Sequence, residues 1–284
     1  MRIVRYLDGS TPAWGWLWND TIVPLGRDGV GSPFDLRALF EQARAANGST
    51  PQQGRALADT TLLAPIAPAA TVYCVGINYK AHAGEAGREL PPNPSIFLRR
   101  QASLVGAGQP LRRPVDSNQL DFEGELAIVI GRGGRHIAAA DAMEHVAAYT
   151  CINDGSVRDF QRHSVTAGKN FEASGACGPW LTSADEVKDP GDLRLRTCVN
   201  DVQMQSANTS QLIYSPAVLI SYVSRFARLH SGDLIATGTP EGVGAARNPP
   251  LWLVPGDRVS IEISNVGRLD NPVVDETLEV LQQP

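Results

Sequence analysis

Five consecutive apolar residues, Leu126 to Ile130, constrain this chain more than any other stretch. They close the segment Asp-Phe-Glu-Gly-Glu-Leu-Ala-Ile-Val-Ile-Gly, residues 121–131. A short run rich in β-branched residues and ended by glycine reads as a strand covered on both faces, because strand side chains alternate between the two sides of a sheet. The fold must therefore place apolar layers above and below one sheet. Asp121, Glu123 and Glu125 stand at alternate positions directly before the run. On one continuous strand they would share a face at the mouth of the core. Like charges at the edge of a low-dielectric interior repel one another and call for a cation, protons or water.

Strand signals dominate the rest of the chain. Residues 2–8, 13–19 and 21–26 read as a small meander separated by turn residues. Phe34, Leu36, Leu39, Phe40 and Ala43 have helical spacing, with Gly48 beyond the helix end. A proline-containing connector at residues 64–70 suggests a boundary there. Beyond it, strands are expected near residues 72–79, 95–99, 125–131, 148–154, 193–200, 233–238 and 257–263. Helices are expected over 138–148, 157–163 and 215–229. Strands and helices do not alternate regularly, which disfavours a doubly wound parallel sheet and points to a mixed, mostly β architecture with few helices.

Composition excludes several function classes. A net charge of −5 and a pI near 5.6 leave no electrostatic footprint for nucleic acid. No apolar run approaches a membrane span, and the first residues lack the apolar stretch of a secretory signal, so a cytoplasmic protein without membrane partners is expected. The four cysteines, Cys74, Cys151, Cys177 and Cys198, are scattered and read as reduced and buried. The glycines at 131–134 and 238–244 match neither a dinucleotide fingerprint nor a phosphate loop, so they read as strand-end turns.

Three clusters could carry chemistry. Glu123, Glu125 and Asp154 offer only oxygen donors, a set that suits magnesium or manganese, with calcium possible as a non-native occupant. Three carboxylates would leave about three of six octahedral positions for water or substrate. The bland reading is a set of solvated strand-end acids. His82 and Glu85 are three apart, so a single helical turn would make them neighbours, and a carboxylate beside an imidazole fixes its tautomer and raises its basicity. The bland reading there is an exposed histidine in a glycine-rich loop, with Glu85 pairing to Arg88. Gly84, Gly87 and the prolines at 91, 92 and 94 suggest a lid from Lys80 to Pro92. Finally, 22 of the 25 basic residues are arginine, leaving Lys80, Lys169 and Lys188, and a lysine retained in such a chain suggests a place for a compact ammonium. Lys169 could hold charge developing on a substrate oxygen.

In order along the chain stand residues 76–85 (Gly-Ile-Asn-Tyr-Lys-Ala-His-Ala-Gly-Glu), 120–131, 152–161, 168–180, 215–244 and 255–263. This ordered set, from about Val72 to Glu279, resembles the fumarylacetoacetate hydrolase family. The resemblance implies a β-sandwich roll, here a catalytic domain over residues 68–284 preceded by a small β-rich N-terminal domain over residues 1–67. It implies a homodimer that binds magnesium or manganese through Glu123, Glu125 and Asp154. Asp121 falls outside that ligand set and is expected either to back the ligands or to be solvated. His82 and Glu85 take the catalytic positions, together with Lys169. Tyr79, Arg158, Gln161 and Thr239 take the substrate-facing positions, although Arg158 and Gln161 could equally sit on a helix surface and Thr239 could cap local backbone. The implied activity is metal-dependent hydrolysis of a C–C bond in an acylpyruvate such as fumarylpyruvate, with a pyruvate enolate departing. Oxaloacetate decarboxylation and isomerisation of a 2-hydroxymuconate-type acid are alternatives on the same site. A catalytically silent binding protein of this fold is the alternative of another class.

Overall fold

The computed structural model describes residues 1–28, 34–47 and 54–277. The doubly covered strand is Gly124–Ile130, with all seven residues buried. Its side chains divide by parity. Leu126, Ile128 and Ile130 join one core cluster, and Ala127 and Val129 join another on the opposite face. This strand lies inside a twelve-stranded mixed sheet. On one side its neighbours are Val146–Asn153, then Gly175–Ser183; on the other they are Leu234–Ala236, Val72–Val75 and the edge strand Ile96–Arg99.

A second sheet of five strands, ordered Val202–Asn208, Arg194–Val199, Arg258–Ile263, Gly267–Asp275 and Leu111–Arg113, supplies the layer over the Leu126 face through Leu195, Ile261, Ile263, Leu269 and Val273. The other face is covered by the N-terminal part of the chain: Trp14, Trp16, Leu36 and Phe40 pack with Ala127, Val129 and Ile152. The meander Arg2–Asp8, Thr11–Trp18, Thr21–Arg27 does not stand apart from this sheet. Arg2 and Ile3 pair with Thr182 and Leu181, so the N-terminal strands extend the large sheet. The helix Leu36–Ala46 starts where Asp35 accepts hydrogen bonds from the amides of Arg37 and Ala38, and it buries Leu36, Phe40 and Ala43. Gly48, expected beyond its end, lies outside the described residues.

The structure departs from the sequence reading in three places. The helix expected over 138–148 is a short 3-10 turn, Ala142–His145, running into the strand Val146–Asn153. That strand is hydrogen-bonded on both edges and buries Ala148, Tyr149, Cys151 and Ile152, and such tertiary pairing outweighs the helix propensity of an alanine-rich segment. The strand expected over 72–79 stops at Val75. Asp121 belongs to a separate two-residue strand, Leu120–Asp121, paired with Ser156–Val157. The three alternating acids therefore do not ride one continuous strand. The four cysteines are free and buried. Among the described residues no helix is long and apolar enough to cross a membrane.

Candidate active site and metal centre

Strand register assembles the acidic residues. Gly124 pairs with Asn153 and Glu125 with Ile152, so the chain leaves Val146–Asn153 at Asp154 directly beside Glu123. The Asp154 amide donates to the Glu123 carbonyl at 2.8 Å, and the Glu123 amide donates to Asn153 Oδ1 at 3.0 Å. One carboxylate oxygen from each of Glu123, Glu125 and Asp154 lies within 4.8 Å of the other two. The three residues are no more than 5% exposed, which rules out the solvated reading.

Three cations surround this cluster. Lys169, 2% exposed, places Nζ 2.6 Å from Glu123 Oε2, 2.6 Å from Asp154 Oδ2 and 2.8 Å from the Asp154 carbonyl. It arrives on a short helix, Val165–Lys169, that crosses the helix Arg158–His163 at Gly168. A Cβ there would sit 2.5 Å from Gln161 Cα, so a glycine is needed for the approach. Arg158 pairs through Nε with Asp121 at 2.8 Å and through Nη2 with Glu123 at 2.6 Å, and its Nη1 donates to Gln161 Oε1 at 2.9 Å. Neither Arg158 nor Gln161 is an idle helix-surface residue.

Arg99 is the third cation, and sequence reasoning missed it. It is buried at the end of the edge strand, with Nη1 2.7 Å from Asp154 Oδ1 and further bonds to the Gly155 carbonyl, Ser103 and Ser174. The one available signal was its parity with Phe97, whose ring faces the Lys169 ammonium at 5.4 Å. Asn78 was also missed. It is fully buried and joins Tyr214 to the Thr237 carbonyl. Asp121 is fully buried rather than solvated, and accepts from the amides of Gly244 and Ala245 as well as from Arg158.

Charge is not shared evenly. Burial alone would raise the Glu123 carboxyl, but Lys169, Arg158 and His82 together bring it down to about 2. Burial likewise opposes the Lys169 ammonium, yet Asp154 and Glu123 hold it above the ordinary lysine range. Glu125 differs. Among the described residues it has no ion pair, and its Oε2 accepts from the Gly238 amide at 2.7 Å. Gly238 adopts φ +98°, and a Cβ there would meet Asn78 Cβ at 2.7 Å. Burial first, then the Asp154 and Glu123 charges, push the Glu125 carboxyl well above the usual range. Four carboxylates (Asp121, Glu123, Glu125, Asp154) face three cations (Arg99, Arg158, Lys169), so positive charge is missing at Glu125. Oxygen donors, burial and one uncompensated carboxylate suit a hard divalent ion.

A pH dependence follows. Without metal, folded Glu125 retains a proton at pH values where a free glutamate has lost it. A cation must displace that proton, so metal affinity should fall as pH falls. Calorimetric titration of Mn2+ into metal-stripped protein, in buffers of different ionisation enthalpy, should read proton release on binding that grows as pH falls. Affinity independent of pH would contradict the assignment of Glu125 as the protonated ligand.

His82 and Glu85 meet as the helical spacing predicts. They lie on the helix Lys80–Glu85, with His82 Nδ1 3.0 Å from Glu85 Oε2. Glu85 Oε1 accepts from the Gly242 amide at 2.9 Å, so Arg88 is not its partner here. A carboxylate only accepts, so Nδ1 carries a hydrogen toward Glu85, and in the neutral ring Nε2 is then the nitrogen able to act as a base. Tyr214 donates its hydroxyl to the Pro91 carbonyl, holding the segment after this helix against the body. Tyr79 is 1% exposed and its hydroxyl has no hydrogen-bond partner. Thr239 is occupied as a brace: its hydroxyl donates to the Gly124 carbonyl at 3.1 Å and accepts from Gln205 at 2.8 Å.

Comparison with known proteins adds to this geometry. The family model described as fumarylacetoacetate (FAA) hydrolase C-terminal matches residues 71–274, and one described as Rv2993c-like, N-terminal matches residues 1–65. The chain is 36% identical over 288 residues to oxaloacetate tautomerase fahd2, mitochondrial, from Xenopus laevis, covering 96% of this chain and 90% of that relative. Among solved structures, 5-carboxymethyl-2-hydroxymuconate delta-isomerase from Mycobacterium smegmatis is similar at 34% identity and TM-score 0.77, over 98% of this chain and all of that one. Maleylpyruvate hydrolase from Sphingobium sp. SYK-6, in complex with manganese (II) ion and pyruvate, is similar at 30% identity and TM-score 0.79, over the same shares.

Proposed function

This chain belongs to the fumarylacetoacetate hydrolase family, and from that premise we propose that it is a metal-dependent enzyme that moves a proton at C3 of a 2-oxo acid, with keto–enol interconversion of oxaloacetate as its reaction. The observation that carries this reading is a carboxylate-oriented histidine whose charge acts on Glu123 of a buried three-carboxylate centre. A divalent ion held by Glu123, Glu125 and Asp154 would act as a Lewis acid on the keto oxygen of the substrate. With all seven charged groups ionised the cluster carries one negative charge, so a divalent ion would leave it with one positive charge, the complement of a substrate carboxylate. His82 Nε2 takes the proton from C3, Glu85 stabilises the imidazolium that forms, and a proton returned to the C2 oxygen completes the enol and restores the base; the reverse sequence gives the keto acid. Lys169 and Arg158 hold the Glu123 carboxylate ionised, and Arg99 fixes Asp154. The relative named as an oxaloacetate tautomerase supports this choice over hydrolysis, the activity expected first from sequence.

Hydrolysis of an acylpyruvate is the second reading, favoured by the likeness to maleylpyruvate hydrolase with pyruvate bound. The same His82 would then take its proton from water. Metal-loaded protein mixed with enol-oxaloacetate should hasten loss of enol absorbance over buffer. Pyruvate release from fumarylpyruvate with no effect on the enol would replace the first reading by the second. His82→Asn should lower turnover by roughly 10²–10⁴-fold while Mn2+ affinity is retained. Full activity in that variant would remove the base from the account.

A further inference from the structure

The loop of residues 238–245 holds three carboxylates of the site through backbone amides. Gly238 donates to Glu125 at 2.7 Å and Gly242 to Glu85 at 2.9 Å. Gly244 and Ala245 donate to the two oxygens of Asp121 at 2.8 and 2.9 Å. Asp121 pairs with Arg158, and Arg158 with Glu123. One short stretch of backbone therefore reaches the metal ligands, the dyad and the cation that keeps Glu123 ionised. Groups held this way are placed only as well as the loop itself is placed.

The loop is fastened from the second sheet, by Gln205 on the edge strand Val202–Asn208. Gln205 is 1% exposed. Its Nε2 donates to Thr239 Oγ1 at 2.8 Å and to the Pro240 carbonyl at 2.9 Å, and its Oε1 accepts from the Gly124 amide at 3.0 Å. Thr239 closes the ring by donating to the Gly124 carbonyl. Gly124 stands between Glu123 and Glu125, so one side chain joins the strand that carries two of the acids to the loop that holds the others. Beside Gln205 the strand pairing steps from Thr197–Gln205 to Cys198–Gln203. That bulge at Met204 leaves its carbonyl to Arg247, which also donates to the Gly242 carbonyl.

We propose that Gln205 is a positioning residue that ties the dyad to the metal ligands: by fixing the loop against Gly124 it sets both where Glu85 orients His82 and where Glu125 meets the ion. It acts through Gly124, Thr239 and Pro240, not on the reacting atoms. Its part in turnover rests on the 2-oxo acid reading given above, and its part in metal binding does not.

Gln205→Met keeps length and volume and removes both hydrogen-bonding ends. The full chain is titrated with Mn2+ by calorimetry and assayed with enol-oxaloacetate at saturating Mn2+, well below its melting temperature. The variant should bind Mn2+ about tenfold more weakly and turn over about a hundredfold more slowly, the scale of a misplacement of about 1 Å. Leu36→Ala, a core truncation on the opposite face of the large sheet, is the control. It should lower the melting temperature at least as far and leave both readings unchanged. In a Glu85→Ala background, Gln205→Met should cost about tenfold less turnover than in the natural chain, because the loop then has no dyad carboxylate to place. If Gln205→Met does not fold, Thr239→Val opens the same ring and carries the Mn2+ comparison. Unchanged Mn2+ affinity, an equal loss in Leu36→Ala, or full additivity with Glu85→Ala would overturn the role given to Gln205. An unaltered protein that binds Mn2+ but does not act on enol-oxaloacetate would overturn the proposed function instead, and the Mn2+ comparison would still decide on Gln205.

Discussion

Glu125→Gln is expected to leave the metal-free protein at least as stable as the natural chain while reducing turnover about a thousandfold. The two effects have one cause. Glu125 is buried without a cationic partner, beside two other carboxylates. Its folded-state pKa lies above its ordinary value, so its contribution to stability is fully present below about pH 4.5 and is lost as pH rises through the raised value. A neutral amide can still accept from the Gly238 amide and carries no such penalty. The same change removes one anionic ligand from the centre. Lewis-acid stabilisation is worth several kcal/mol, about a thousandfold in rate. Melting curves in EDTA should give the variant an advantage that grows with pH. Added Mn2+ should raise the melting temperature of the natural chain and leave the variant nearly unmoved. A variant that melts lower in EDTA and keeps its turnover would contradict this account of Glu125.

Lys169→Met should behave in the opposite way. Its ammonium is shared between Glu123 and Asp154 at 2.6 Å each, in a site only 2% exposed. Removing one partner of a buried ion pair costs about 3–5 kcal/mol, because the remaining charge is left without compensation. For a chain of this size that corresponds to a loss of roughly 10 °C in melting temperature without metal. A divalent ion supplies replacement charge to the same oxygens, so Mn2+ should recover part of the loss. Turnover should fall as well, since a lysine that sets the shape and charge of the acidic centre acts on every step there. An EDTA melting temperature equal to that of the natural chain would show that the ammonium does not hold these carboxylates together.

The parts of the site that sequence made legible share a local origin. Glu123 and Glu125 announce themselves through their position ahead of an apolar strand, and His82 and Glu85 through i,i+3 spacing. Each needs only a short window and one periodicity. The doubly buried strand and its alternation were legible for the same reason. Arg99 was not, because its environment is made by Ser103, Gly155 and Ser174, brought together only by the sheet edge. Asp121 looked like a third member of an alternating row, and a break in the strand after it sends its carboxylate to the amides of residues 244 and 245 instead. Thr239 fits both a substrate contact and a brace in sequence, and its two hydrogen bonds show the brace. The helix expected over 138–148 is the same lesson in secondary structure: the strand expected from 148 begins already at Val146, because its partners, not its composition, decide the conformation there.

Anomalous diffraction from crystals soaked with Mn2+ and oxalate tests the central claim most directly. The account expects one strong peak per chain within bonding distance of an oxygen from each of Glu123, Glu125 and Asp154, with both oxalate carboxylates completing the coordination. A peak elsewhere, or none in crystals that hold oxalate, would contradict it.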